Sequence, residues 1–272
     1  MEKTGLFYLY NSIIGRFVLK ILVNPYISYI CGIFLDSPLS VLLIKPFISK
    51  NNINIDEYES VKYKSFNEFF SRKIKPGKRV ISDNPNEFIS PCDAYLSCYK
   101  LNEQTVIPAK QSEYNLHSLL RDKKLATEFE NGWCLVFRLC VDHYHRYIYT
   151  DNGRILCKRK IKGVLHTVRP VALRARPVFV ENTREYMLLD TENFGRIIQM
   201  EVGAMLVGKI ENFDEKGSFV RGAEKGRFLY GGSTIIMLVK EDKICIDAGL
   251  VNAGKDGKEI SVKMGQNLGS VL

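Results

Sequence analysis

The spacing of apolar residues changes character near residue 50. From Gly5 to Ile48 apolar and aromatic side chains dominate, yet Arg16, Lys20, Asp36 and Lys45 interrupt them and Pro25, Pro38 and Pro46 act as breakers. No uninterrupted run therefore reaches the roughly 20 residues that a spanning helix requires. Within this stretch, Leu6 to Val23 places Phe7, Ile14, Phe17, Val18, Ile21 and Leu22 at near-helical spacing, with Asn11, Arg16 and Lys20 between them. That pattern predicts an amphipathic helix lying on a surface. Periodicity alone does not separate a bilayer from the protein's own core, and the basic residues beside aromatic ones tilt the reading toward a membrane. A polar joint at Asn51, Asn52, Asn54, Asp56 and Glu57 closes the segment, dividing the chain into a helical segment, 1–55, and a body, 56–272.

Beyond about Ile81 the apolar stretches shorten, become rich in Val, Ile, Tyr and Phe, and are punctuated by Gly, Asn, Asp and Pro. This rhythm predicts strands over Trp133 to Val141, Arg154 to Ile161, Tyr186 to Leu189, Ile197 to Val207, Thr234 to Val239 and Ile244 to Ala248. Only the 115 to 125 stretch reads as a short helix. The fold class expected is α+β, with a β-dominated antiparallel body behind a helical amino terminus.

Composition narrows the classes. With 46% hydrophobic and 25% charged residues in 272, the chain is neither disordered nor a multi-span membrane protein. A net charge of +9 suggests an anionic partner. Zinc-finger spacing, an RNA-binding aromatic signature and long Lys/Arg blocks are absent, so nucleic acid is the weaker candidate beside a membrane face. Seven cysteines, an odd number with no Cys-x-x-Cys, read as buried free thiols in a reducing compartment; neither a disulfide framework nor a metal site is expected. No secretory signal is recognised at the amino terminus.

Candidate chemistry lies near the carboxyl end, where Gly231-Gly232-Ser233-Thr234 feeds directly into an apolar strand. A serine following glycine can attack the preceding carbonyl carbon if a base takes its proton and donors receive the oxyanion. Asp93, in the Ser90-Pro91-Cys92-Asp93 turn, and His145, in Asp142-His143-Tyr144-His145-Arg146-Tyr147, are candidates to assist. His143 and His166 are reserves for the base. Arg146 is a weaker candidate for meeting a carboxylate or phosphate.

These residues share a pattern with others. Phe66-Asn67-Glu68-Phe69-Phe70-Ser71-Arg72-Lys73-Ile74-Lys75-Pro76-Gly77-Lys78-Arg79, Ser90-Pro91-Cys92-Asp93, Tyr144-His145-Arg146, Leu165-His166-Thr167-Val168 with Glu181-Asn182-Thr183-Arg184-Glu185, Val202-Gly203-Ala204-Met205-Leu206-Val207-Gly208 and Gly231-Gly232-Ser233-Thr234 occur in that order over roughly residues 60 to 240. Together they resemble the phosphatidylserine decarboxylases. The resemblance implies a proenzyme that cleaves itself between Gly232 and Ser233 into chains 1–232 and 233–272. Ser233 would become a pyruvoyl cofactor that forms a Schiff base with phosphatidylserine and releases phosphatidylethanolamine, with Asp93, a histidine and Ser233 as the processing triad. It further implies a barrel-sandwich core and a possible homodimer. Partner and place would be phosphatidylserine at the cytoplasmic face of the cell membrane, bound peripherally.

Two positions depart from the pattern. Many members carry a second histidine as Tyr-His-Arg-x-His, often given the base role, and here that position is Ile148; Ala94 stands where glycine is usual. If the segment is extended, His143 and His145 share a face that Ile148 does not. His145 is therefore assigned as base and as the later proton donor. The rival readings are a pyruvoyl decarboxylase of a soluble amino acid or another serine lipid, and a non-catalytic membrane-binding β module.

Overall fold

The computed structural model describes residues 5–101, 115–205, 209–214, 216–231 and 233–272. The amino-terminal stretch is helical but broken: α1 (Gly5–Asn11), α2 (Ile13–Leu22), α3 (Pro25–Asp36) and α4 (Ile44–Asn51), with a 3-10 turn over Pro38–Leu43. The single helix expected over 6–23 is two, meeting at 100°. Ser12 is the cause: its hydroxyl accepts from Gly15 N at 2.9 Å and caps α2. Gly15 permits the bend, since a β-carbon there would sit 2.1 Å from the Tyr8 carbonyl oxygen. Asn24 and Pro25 start α3 in the same local way. No single described helix is long and apolar enough to cross a membrane.

The helical segment has two kinds of surface. Tyr10, Leu19 and Val23 join the main core, while Leu35, Ile44 and Ile53 pack with Phe66, Phe69 and Phe70 of α5 (Phe66–Phe70) in a second cluster. Facing outward, Ile13, Ile14, Phe17, Leu39 and Leu42 are each 70% or more exposed. So large an apolar surface marks an interaction face rather than ordinary solvent contact.

The body contributes strands β1 (Glu87–Ile89), β2 (Ala94–Lys100), β3 (Trp133–Leu139), β4 (Arg146–Ile148), β5 (Gly153–Ile161), β6 (Arg184–Thr191) and β7 (Gly195–Val202). Seven more follow: β8 (Ile210–Asn212), β9 (Gly217–Phe219), β10 (Glu224–Phe228), β11 (Ser233–Val239), β12 (Ile244–Ile246), β13 (Ile260–Val262) and β14 (Asn267–Val271). An eight-stranded antiparallel sheet runs β13-β2-β3-β11-β7-β6-β5-β9, beside two three-stranded sheets, β1-β14-β12 and β4-β10-β8. None of these sheets closes, so the described strands form open antiparallel layers where a barrel-sandwich core was the expectation. The body is also less purely β than its rhythm suggests. The helix expected near 115 is two, α6 (Leu116–Leu120) and α7 (Lys123–Glu128), and α8 (Pro170–Ala175), α9 (Val178–Glu181) and α10 (Ala248–Lys255) add to them. Ala248 opens α10 rather than ending a strand, because Asp247 caps it by accepting from Gly249 N and Leu250 N. The thiols are likewise mixed: Cys92, Cys98 and Cys134 are buried, but Cys157 and Cys245 are exposed.

Strand β11 lies between β3 and β7, paired from Ser233↔Leu139 to Val239↔Trp133 on one side and from Thr234↔Val202 to Val239↔Ile197 on the other. Every residue of it is buried. Nearby a buried ion network joins this sheet to the β4-β10-β8 sheet. Lys225 Nζ donates to Glu201 Oε1 at 2.8 Å and to Asn212 Oδ1 at 2.7 Å, and Asn212 Nδ2 donates to Glu185 and Glu201. Lys225 and Glu201 are both fully enclosed. Burial lowers the lysine's pKa and raises the glutamate's, opposed in each case by the partner charge.

Candidate active site

Ser233 is the first residue of β11 and is wholly buried; its hydroxyl has no hydrogen-bond partner among the described residues, and neither has that of Thr234. Gly231 adopts φ 128, a conformation other residues rarely take. Gly232 lies outside the described residues, as do Leu206, Val207 and Gly208.

His145 is brought to this segment by strand pairing. Its carbonyl accepts from Phe228 N at 2.9 Å, and Arg146 pairs with Arg227, so residues 145–148 run beside the strand that leads into 229–231. The ring is fully buried, 4.1 Å from the Phe70 ring centre. Nδ1 lies 2.9 Å from the His143 carbonyl oxygen. A carbonyl only accepts, so in the neutral ring Nδ1 carries the proton and Nε2 keeps its lone pair. That Nε2 is buried without a partner among the described residues. Burial, then the positive charge of Arg72, pushes the pKa down to about 3, while the carbonyls of His143 and Gly231 favour the protonated ring. The arrangement holds an uncharged imidazole whose free nitrogen, once protonated, has the Gly231 carbonyl to receive it.

Asp93 is held differently. Arg79 Nε donates to Oδ1 at 2.8 Å and Arg79 Nη2 to Oδ2, Lys263 lies 3.2 Å from Oδ2, and Met264 N donates to Oδ1 at 2.9 Å. Burial alone would raise its pKa, but the Arg79 and Met264 hydrogen bonds with the Arg79 and Lys263 charges hold it below the usual carboxylate range. No described hydrogen bond joins Asp93 to His145. Ile148 accounts for the gap: its N–H donates to the Pro91 carbonyl at 3.0 Å, two residues before Asp93, so position 148 lies beside the Asp93 turn. Its side chain is buried in the cluster with Phe70, Tyr144 and Met264, offering no polar group there. Ala94 does not disturb the turn, since it is extended backbone at the start of β2, paired with Val262.

The reserve histidines occupy other places. His143 belongs to a turn closed by its N–H to the Cys140 carbonyl, so the strand alternation expected to set it beside His145 does not apply. Its Nδ1 accepts from Cys140 N at 3.2 Å and its ring packs on Tyr95. Burial lowers its pKa, with Asp142 and then Asp93 opposing. His166 ties α1 to the body, with Nδ1 3.1 Å from the Tyr10 hydroxyl and Nε2 3.1 Å from Glu181. Burial, then Arg176, brings its pKa to about 4. Arg146 is buried and engaged, donating to the Ser71 carbonyl at 2.7 Å and to Glu224.

Three residues that the sequence reading did not single out complete the site. Arg72 is nearly enclosed, 4.1 Å over the Tyr58 ring, and its charge helps keep His145 neutral. Arg79 fixes Asp93. Asn67 donates to Asp36 Oδ1 at 2.9 Å and accepts from Tyr230 N at 3.2 Å, linking α3 to the residue three before Ser233. All three lie inside the Phe66 to Arg79 block, whose length as a motif was the available signal.

Residues 66–270 match the family model described as phosphatidylserine decarboxylase. A phosphatidylserine decarboxylase proenzyme 2 of Clostridium acetobutylicum is 44% identical over 263 residues, covering 96% of this chain and 90% of the relative. The phosphatidylserine decarboxylase proenzyme of Ruminiclostridium cellulolyticum is 40% identical over 270 residues (97% and 90%), and that of Clostridium perfringens 39% over 282 (98% and 94%).

Proposed function

Because the chain belongs to the phosphatidylserine decarboxylase family, we propose that it is a proenzyme that cuts itself between Gly232 and Ser233 and then converts phosphatidylserine to phosphatidylethanolamine. The observation that carries this reading is a pair of orphans: Ser233 Oγ and His145 Nε2 are both fully buried and both without partners among the described residues, and the His145 segment runs beside the strand that leads toward Ser233. Leaving such groups unpaired costs about 1–3 kcal/mol each, a cost that functional sites sustain.

In the cut, His145 Nε2 takes the Ser233 hydroxyl proton, Oγ attacks the carbonyl carbon of residue 232, and the ring hands that proton to the residue 233 nitrogen as its bond to the carbonyl carbon breaks, leaving an ester. β-Elimination then releases the residue 232 carboxylate and leaves a dehydroalanine, which water converts to the pyruvoyl group with loss of ammonia; while protonated, the ring has the Gly231 carbonyl to receive it. The flexibility of glycine at 231 and 232 accommodates the distorted peptide. Asp93, locked by Arg79 and Lys263, acts by holding its turn and its charge near the histidine segment rather than by bonding to His145. A pyruvoyl group derived from residue 233 fits this place, since it would replace a buried hydroxyl that no described residue satisfies. Once formed, it supplies a ketone that holds the lipid amine and accepts the electrons left as carbon dioxide departs. His145 returns a proton to the former α-carbon.

The exposed apolar side chains of α2 to α4 are read as the face that enters the cytoplasmic leaflet of the cell membrane, with the +9 net charge favouring anionic lipid. Intact mass spectrometry tests the reading. The expected result is two fragments, the smaller, residues 233–272, with a blocked amino terminus; a single 31.1 kDa chain with an ordinary serine at 233 would sink it.

A further inference from the structure

A cavity of about 260 Å3 opens between α3 and the segment just before the cleavage site. Gly32, Ile33 and Asp36 line it from α3, and Lys209, Leu229 and Tyr230 line it from the body. On its outer side α3 leaves Ile33 57% and Phe34 50% exposed, so the cavity is continuous with the apolar face of the helical segment. On its inner side the Tyr230 ring packs 5.2 Å from Phe70, which in turn packs 4.1 Å from His145. Two rings thus separate the cavity from the buried base. Asn67 holds both walls, bonded to Asp36 and to Tyr230 N.

We propose that this cavity is the slot in which a diacyl phospholipid is held at the junction of headgroup and glycerol, with Lys209 meeting the phosphate. The inference deepens the proposed decarboxylation and rests on it for the identity of the headgroup. Apolar walls at Ile33 and Leu229 suit the start of the acyl chains. The two charges, Asp36 and Lys209, suit a headgroup that carries an ammonium beside a phosphate. Lys209 already pairs with Glu211 at 2.5 Å, and Glu211 is also bound by Arg227, so the lysine can turn to the lipid without stranding the carboxylate. A soluble amino acid would leave the apolar walls unused.

Gly32 provides the test, because a β-carbon added there meets nothing within 4 Å and a helix interior gains from losing glycine. Gly32→Leu is expected to fold, melt no lower than the wild type and be cut normally, while filling the slot. The probe is dihexanoyl phosphatidylethanolamine, a short-chain form of the product, measured by titration calorimetry. Gly32→Leu should weaken its binding by about tenfold or more, and Lys209→Ala by about five- to tenfold, with Lys209→Arg restoring most of it. In turnover of the matching serine lipid both variants should raise KM with kcat held. Unchanged binding and KM in a normally cut Gly32→Leu protein would overturn the slot, and full affinity in Lys209→Ala would overturn the phosphate contact. Binding by uncut Ser233→Ala protein measures the slot separately, so failure of the wild type to cleave would count against the proposed function and leave the slot standing.

Discussion

Two buried polar places lie close together in this fold, and they are built on opposite rules. At Lys225, Glu201 and Glu185 the charges are enclosed, yet each finds partners, Asn212 among them, at 2.7 to 3.2 Å. At Ser233, Thr234 and His145 the groups are equally enclosed, yet the two hydroxyls and Nε2 have no partner among the described residues. Burial is thus common to both, and satisfaction is what separates them. The first place holds strands β7, β8 and β10 together; the second leaves a serine hydroxyl and an imidazole lone pair free of competing hydrogen bonds.

The comparison breaks most sharply at Ser233. Ser233→Ala should give one uncut 31.1 kDa band on a denaturing gel and no carbon dioxide from serine-labelled lipid. His145→Ala should slow cutting by roughly 100- to 10,000-fold, followed as the loss of full-length band with time; cutting at the normal rate would remove His145 from the base role. Lys225→Met should do the opposite, lowering unfolding free energy by about 3–5 kcal/mol in denaturant titration, whereas Lys225→Met combined with Glu201→Leu should recover most of that loss.

Acid sharpens the contrast. The His145 ring takes a proton in the unfolded chain near its ordinary pKa of 6.5 but in the folded protein only near about 3. The unfolded state therefore binds more protons in between, and stability falls as pH drops through that window. His145 should account for about 2 kcal/mol of loss between about pH 7 and about pH 5, absent in His145→Phe. His166, with a pKa near about 4, acts in the same direction and remains in that variant. The smallest expected effect is at the clamp: Asn67→Ala should slow cutting about five- to tenfold in a time course, through loss of about 1 kcal/mol of hydrogen bonding at Tyr230 N.

Much of this was legible from the sequence because it depends on neighbours. The strand rhythm located β3, β5, β7 and β11, and the Gly-Gly-Ser-Thr turn marked the start of β11. What was not legible depends on residues far apart. Asp93 looks like a triad member in its turn, but its partners stand 14 and 170 positions away, at Arg79 and Lys263. Arg146 reads from its neighbours as a weak candidate for a carboxylate or phosphate, and Glu224 and the Ser71 carbonyl are what engage it. The break at Ser12 was hidden because apolar spacing continues across it, and only the capping serine and Gly15 signal the turn. The open sheets could not be told from a barrel-sandwich core, since alternation is the same in both.

The position of β11 bears on what a cut chain would be. Residues 233–272 contribute the central strand of the eight-stranded sheet, its β13 edge, and two of three strands in another sheet. A nick at the head of β11 would leave those ladders intact, so the forty-residue piece could leave only by undoing the architecture of its larger companion. The two products should travel as one particle through any native separation and melt in one step, their independence visible only in denaturant.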